Sequence, residues 1–169
     1  MSAGFCFYNG GFDSDGFDTF LTEFKEASEN HDIIHVFLET NGGNLDVAYS
    51  LASLFTNCDS RIVIHVTSEC SSSGFTLLAL VKDKCQIQVS TTAWSTVHLA
   101  DITTSFKERE KDKEFYDFLD RKLSVINHQL YLIYEEMGFT KEELTDIGNF
   151  KDVRLNALDL ARVIGVQRI

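Results

Sequence analysis

Along this chain the apolar positions switch repeatedly between two periods. "GFCFYN" alternates as a short strand does, and "GFDTFLTEFKEASEN" then sets Phe17, Phe20, Leu21 and Phe24 at helical spacing. "DIIHVFLE" is a continuous apolar run rich in β-branched residues, the pattern of a parallel strand with helices over both faces. The chain breaks at "TNGGN". "LDVAYSLASLF" follows, with Val47, Ala48, Leu51, Leu54 and Phe55 on one helical stripe, and "RIVIHVTS" reads as a second buried strand. This unit of strand, glycine turn, helix and strand recurs. The serine cluster in "SECSSSG" leads into the helix "GFTLLALV", and strands follow at "KCQIQVS" and "AWSTVHLA". The progression predicts an α/β fold with a largely parallel central sheet.

From Ser105 to Met137 the pattern changes to one long, charged helical segment, on which Leu119, Leu123, Ile126, Leu130, Ile133 and Met137 share a face. Its first half is charged nearly all round and is expected to project into solvent, while the second half carries a stripe that needs a partner surface or the core. "FTKEEL" has capping-box spacing at Thr140 and Glu143, and "NALDLARVIG" starts on an N-cap, Asn156, and stops at Gly165.

Composition narrows the classes. At 169 residues, without repeats, linkers or low-complexity tracts, residues 1–169 fit one domain with a sizeable core. A net charge of -11 repels phosphate backbones and anionic lipid, so neither nucleic acid nor a membrane surface is expected as the main partner. The first residues lack a basic stretch followed by a long apolar one, and no window reaches the length of a spanning helix, which points to an intracellular, cytoplasmic protein. Cys6, Cys58, Cys70 and Cys85 show no metal-ligand spacing and read as reduced core thiols; neither a metal nor a cofactor is implied.

Two loops have backbone suited to negative charge. "TNGGN" and the serine cluster each follow a strand and precede a helix, so both open at the carboxyl edge of the sheet, where two amides from two loops can form an oxyanion hole. A serine at such a helix start has an exposed hydroxyl, although serines before helices are N-caps far more often than nucleophiles. Among the five histidines, His31 lies in a polar turn, His35 and His65 interrupt strands, and His128 sits on the long helix. His98 ends a strand that returns to the crevice edge and is the candidate base.

These residues carry a resemblance. "IIHVFLETNGGNLDVAYSLASLF", "IHVTSECSSSGFTLLAL", "STTAWSTVHLA" and "KDVRLNALDLARVIGVQRI", in that order, resemble four signatures of the Clp protease proteolytic subunit, within a wider family that includes crotonase-like enzymes. The resemblance implies a spiral of β-β-α units with the long helix, about 105–137, as an oligomerisation handle. It also implies a serine endopeptidase acting on peptides or unfolded proteins inside a heptameric ring or a stack of such rings. Residue by residue, Ser72 matches the nucleophile, His98 the base and Asp152 the third member of a triad. Gly42 and Ser73 match the positions whose amides make the oxyanion hole, and Gly43 and Asn44 lie where an extended peptide would pair. The spacing from the Gly-Gly turn suits Ser72, whereas the distance onward to His98 suits Ser73 slightly better, so both serines stand as nucleophile candidates. Asn41 replaces the family's Pro, and Leu99-Ala100 replaces Gln-Pro after the histidine; both changes bear on loop rigidity. An unfolding ATPase is the family's partner, docked with the help of a pore-lining segment ahead of the first strand; because the first strand here begins almost at Met1, such docking is not expected.

Two rival readings share the fold. A crotonase-like acyl-CoA enzyme would need only the two amides, and a catalytically silent assembly or regulatory subunit would need none of the triad chemistry.

Overall fold

The computed structural model describes residues 2–101 and 112–166. Six strands form the sheet: β1 (Ala3–Asn9), β2 (Ile33–Thr40), β3 (Arg61–Cys70), β4 (Gln86–Val89), β5 (Trp94–Val97) and β6 (Val153–Asn156). Six helices are described: α1 (Ser14–Asn30), α2 (Leu45–Thr56), α3 (Ser73–Val81), α4 (Lys113–Glu135), α5 (Lys141–Gly148) and α6 (Ala157–Ile164). β1, β2, β3 and β4 pair in parallel, β5 continues β3 through Glu69 and Trp94, and β6 closes the row antiparallel to β5. This is the largely parallel α/β sheet that the alternating pattern predicts.

Local chemistry fixes the helix starts. The side chain of Asp13 accepts from Gly16 N at 2.7 Å to open α1, and Asn44 accepts from Asp46 N at 2.9 Å to open α2. Thr140 and Glu143 form the reciprocal capping box of α5, and Asn156 caps α6, which ends at Gly165. α1 buries Phe20, Phe24 and Ala27, and α2 buries Val47, Ala48, Leu51, Ala52 and Phe55. α3 is apolar nearly all round and accordingly lies at the centre, with Phe75, Leu77, Leu78 and Val81 fully inaccessible.

The expectation that helices cover both sheet faces needs correction for β2 and β3, whereas β1 beside them alternates as its pattern predicts. Cys6, Tyr8, Ile34, Val36, Leu38, Ile62, Ile64 and Val66 face the helices and are buried, whereas Phe5 and Phe7 on the other face are 59% and 61% exposed. The uncovered face carries a ladder of rings instead. Phe7 stacks on Phe37 at 5.1 Å, Phe37 on His65 at 4.6 Å, His65 on His35 at 5.1 Å and His35 on Phe5 at 5.4 Å. His35 Nδ1 lies 2.8 Å from His65 Nε2, so the histidines that break the apolar runs pair with each other on that outer face. An aromatic ladder and a buried strand give the same apolar run in sequence.

The long helix is α4. Its expected start over 105–111 lies outside the described residues; from Lys113 to Ile126 no residue is buried, and Asn127, Leu130 and Tyr134 then reach the core. Tyr134 joins α3 through a buried 3.0 Å contact between its hydroxyl and Thr76 Oγ1, and burial pushes the phenol up to about 12.

Candidate active site

The serine segment is bonded to β5 as though the sheet continued. Ser95 Oγ donates to Cys70 O at 2.6 Å, Thr96 N donates to Ser71 Oγ at 2.9 Å, and Ser72 N donates to Thr96 O at 2.7 Å. Thr96 is two residues before His98, so these bonds bring the imidazole to the end of the sheet where α3 begins. Ser71 and Ser73 are both buried, and Ser73 Oγ donates to Gly43 O at 3.2 Å. Ser72 differs from its neighbours. It sits at the N-cap position of α3 with φ 55 and ψ -123, a left-handed turn that non-glycine residues rarely adopt, and its hydroxyl makes no capping hydrogen bond.

A cleft of about 590 Å³ opens beside Ser72 and is lined by Gly43, Asn44, Ser73, His98 and Asp152, with Leu45, Thr76, Ala100, Asp101 and Leu130 completing the walls. Six of the seven residues singled out from sequence therefore share one cavity. The seventh, Gly42, lies behind Ser72. Its N–H donates to Thr40 Oγ1 at 3.0 Å, and its carbonyl accepts from Phe12 N at 2.7 Å. Among the described residues the N–H of Gly43 has no acceptor, and that of Ser73, at the first position of α3, has none within the helix. Two amides are thus unoccupied at the cleft, one from each loop.

Asp152 is exposed and immediately precedes β6. Its approach is set by a tight turn in which Lys151 N donates to Asp146 O at 2.9 Å, Lys151 Nζ pairs with Asp146 Oδ1 at 2.7 Å, and Phe150 adopts φ 58. No hydrogen bond joins Ser72 to His98 or His98 to Asp152 among the described residues. The imidazole instead bonds its own chain: Nδ1 lies 2.9 Å from Leu99 O. A carbonyl only accepts, so Nδ1 carries the proton in this pair and Nε2 of the neutral ring keeps the lone pair. That is the tautomer a serine base requires.

Sequence reasoning missed several residues that build the site. Thr40, Ser95 and Thr76 lie within strands or a helix where nothing in the pattern marks them. Asn127 left a signal, being an amide inside the apolar stripe of α4 between Ile126 and Leu130. Its side chain is 7% exposed and pairs with both backbone groups of Ala100. Among the described residues no group of three His, Cys, Asp or Glu side chains is placed to hold a metal, and no helix is long and apolar enough to cross a membrane.

No protein-family model matches the sequence, and no curated protein matches it either. The architecture is nonetheless a ClpP-like α/β fold. Among solved structures the chain is similar to a point mutant of ClpP1 from Listeria monocytogenes, with a TM-score of 0.75 over 98% of this chain and 90% of that one. The two sequences are 12% identical, so the likeness is one of fold.

Proposed function

We propose that this chain is a serine endopeptidase of the Clp type, cleaving peptides or unfolded proteins inside a ring-shaped homo-oligomer in the cytoplasm. The observation that carries the reading is Ser72: a hydroxyl without a partner, on a left-handed turn at a helix start, in one cleft with His98 and Asp152. Ser73, the other candidate, has its hydroxyl turned away to Gly43 O.

Ser72 Oγ attacks the peptide carbonyl carbon while its proton passes to His98 Nε2. The carbonyl oxygen becomes an oxyanion facing the amides of Ser73 and of the Gly42–Gly43 turn. Gly42 must exchange its bond to Thr40 Oγ1 to take part, whereas Gly43 needs no such exchange. The imidazolium returns its proton to the leaving amine as the tetrahedral intermediate collapses to an acyl-enzyme. A water molecule then repeats the sequence with His98 as base and releases the acid product. Asp152 takes over the Nδ1–H from Leu99 O when substrate draws the ring toward Ser72 and stabilises the imidazolium. An extended substrate pairs with backbone at Gly43 and Asn44. α4 supplies the contacts between rings, since Phe115, Phe118 and Leu132 on it are 49%, 55% and 47% exposed.

The open contacts between Ser72, His98 and Asp152 favour a second reading, a silent assembly subunit of the same fold. A fluorophosphonate probe and a fluorogenic peptide separate the two. A peptidase is labelled and turns over, Ser72→Ala abolishes both, and Ser73→Ala retains labelling; a silent subunit shows neither signal. Mass photometry of the same sample reports a heptamer or its double.

A further inference from the structure

We propose that Asn127 is a positioning residue for His98, acting through the two backbone groups of Ala100; the inference rests on reading Ser72 and His98 as the reacting pair. β5 ends at Val97, and its pairing with β6 ends there too, at Val97 opposite Val153. The next three residues therefore leave the sheet carrying the candidate base. Asn127 supplies what the sheet no longer does. Its Oδ1 accepts from Ala100 N at 2.8 Å and its Nδ2 donates to Ala100 O at 2.9 Å, so one side chain occupies both main-chain groups of Ala100 as a neighbouring strand would.

The clamp bears directly on the imidazole. Leu99 lies between His98 and Ala100, its side chain is 6% exposed, and its carbonyl accepts the Nδ1–H of His98. With Ala100 held to α4 and Leu99 buried, the Leu99 carbonyl is fixed in direction, and before substrate binds it holds the ring with the proton on Nδ1 and Nε2 free, the arrangement from which Asp152 takes over the Nδ1–H. The connection runs from Asn127 through Ala100 and Leu99 O to His98 Nδ1. Asn is suited to the position because the clamp needs one donor and one acceptor on the same planar group. Asp offers no donor at neutral pH, and Leu offers neither.

A double-mutant cycle on the full-length protein tests the link, with turnover of an activated ester and of a fluorogenic peptide as readouts. Asn127→Ala is expected to lower kcat about 10- to 100-fold with KM changed less than about threefold, the pattern of a misplaced base rather than a damaged binding surface. In a His98→Ala background the same substitution is expected to cost less than about twofold, because the group it positions is gone. Asn127→Asp, which keeps the acceptor for Ala100 N and loses the donor, is expected to fall between the wild type and Asn127→Ala. It serves as the test variant should Asn127→Ala not fold. The proposal is overturned by an equal loss from the Asn127 change in the presence and absence of His98, or by a loss confined to KM. If Ser72→Ala leaves wild-type turnover intact, the peptidase reading itself has failed; if it abolishes turnover while the cycle is additive, only the role of Asn127 has.

Discussion

Gly42 and Ser72 meet with no room for a side chain between them: a Cβ on Gly42 would lie 2.6 Å from the Cβ of Ser72 and 2.7 Å from Ser71 O. Gly42 also has φ 93, where a side chain is strained whatever the space. Gly42→Ala is expected to push Ser72 out of its turn, abolish peptide hydrolysis and lower stability by about 3 kcal/mol, combining backbone strain with overpacking. Gly10 is the control, with φ 126 but open space around it. Gly10→Ala should incur the backbone cost alone and keep full activity. Urea melts and hydrolysis rates of the two variants, side by side, check the difference; equal losses would mean that the contact with Ser72 has no role.

Ser72 poses an opposite case, in which the proposed role as nucleophile opposes stability. An N-cap serine that bonds the helix loses about 1 kcal/mol on change to Ala. Ser72 makes no such bond and holds φ 55, so Ser72→Ala should alter stability by less than about 0.5 kcal/mol. Ser72→Gly should raise it by about 1 kcal/mol by relieving the left-handed strain, even after the extra entropy lost by glycine. Both variants are expected to be inactive. Chemical melts decide the matter: a drop of the N-cap size in Ser72→Ala would return the residue to a capping role.

The contrast between Ser72 and Asn127 shows how far the sequence is legible. Strand and helix succession and the caps at Thr140 and Asn156 depend on residues close in sequence, and each is visible as a local pattern; the crevice shared by the Gly-Gly turn and the serine cluster joins residues 30 apart but follows from the parallel strand order those patterns predict. The Ser95, Thr96 and Asn127 contacts join positions 25 to 27 residues apart through backbone groups, which carry no residue-type signal at all. Asn127 could be noticed only as a polar interruption of an apolar stripe. Among the described residues the expected cover on one sheet face is absent for a related reason. Phe37 and His65 satisfy a strand pattern equally well whether a helix covers them or they stack on one another. Likewise, spacing in the sequence leaves both Ser72 and Ser73 open, while their hydroxyl directions depend on the backbone turn at Ser72.

Acid should weaken the junction of α5 and α6 through Glu143. Partial burial opposes ionisation of its carboxyl, but the bond from Thr140 N and the pairing with Arg162 Nη2 at 2.9 Å outweigh it and hold the group below the usual carboxylate range. A depressed folded value means that the stabilisation is fully present above the ordinary carboxylate pKa and is lost as pH falls through the folded one. Glu143→Gln keeps an acceptor for Thr140 N and removes the charge. It should cost about 0.5 kcal/mol at pH 7, the size of a partly exposed pair, and progressively less as pH falls toward 3. Denaturant melts at pH 7 and pH 3 test this; a penalty undiminished at pH 3 would trace to packing rather than charge.

A second pH dependence comes from the outer face of the sheet, with its window near neutrality. His65 is held below the ordinary imidazole range, first by its burial among the stacked rings and second by the charge of His35, whose Nδ1 sits 2.8 Å from His65 Nε2. The unfolded chain therefore takes up a proton at His65 more readily than the folded one. Stability from this site is complete above the ordinary imidazole pKa and declines as pH falls below it. The hydrogen bond also requires one ring nitrogen to accept, which two protonated rings cannot provide. His65→Phe keeps a ring in the ladder and removes the proton site. Between pH 7.5 and 5.5 the wild type should lose roughly 2 °C more in Tm than the variant, equivalent to a difference below about 1 kcal/mol. Both proteins carry the other four histidines, so subtracting one Tm shift from the other isolates this pair. Parallel shifts in the two proteins would place the acid sensitivity elsewhere, and a larger loss in His65→Phe would mean that the bond between the two imidazoles outweighs the cost of burying one of them.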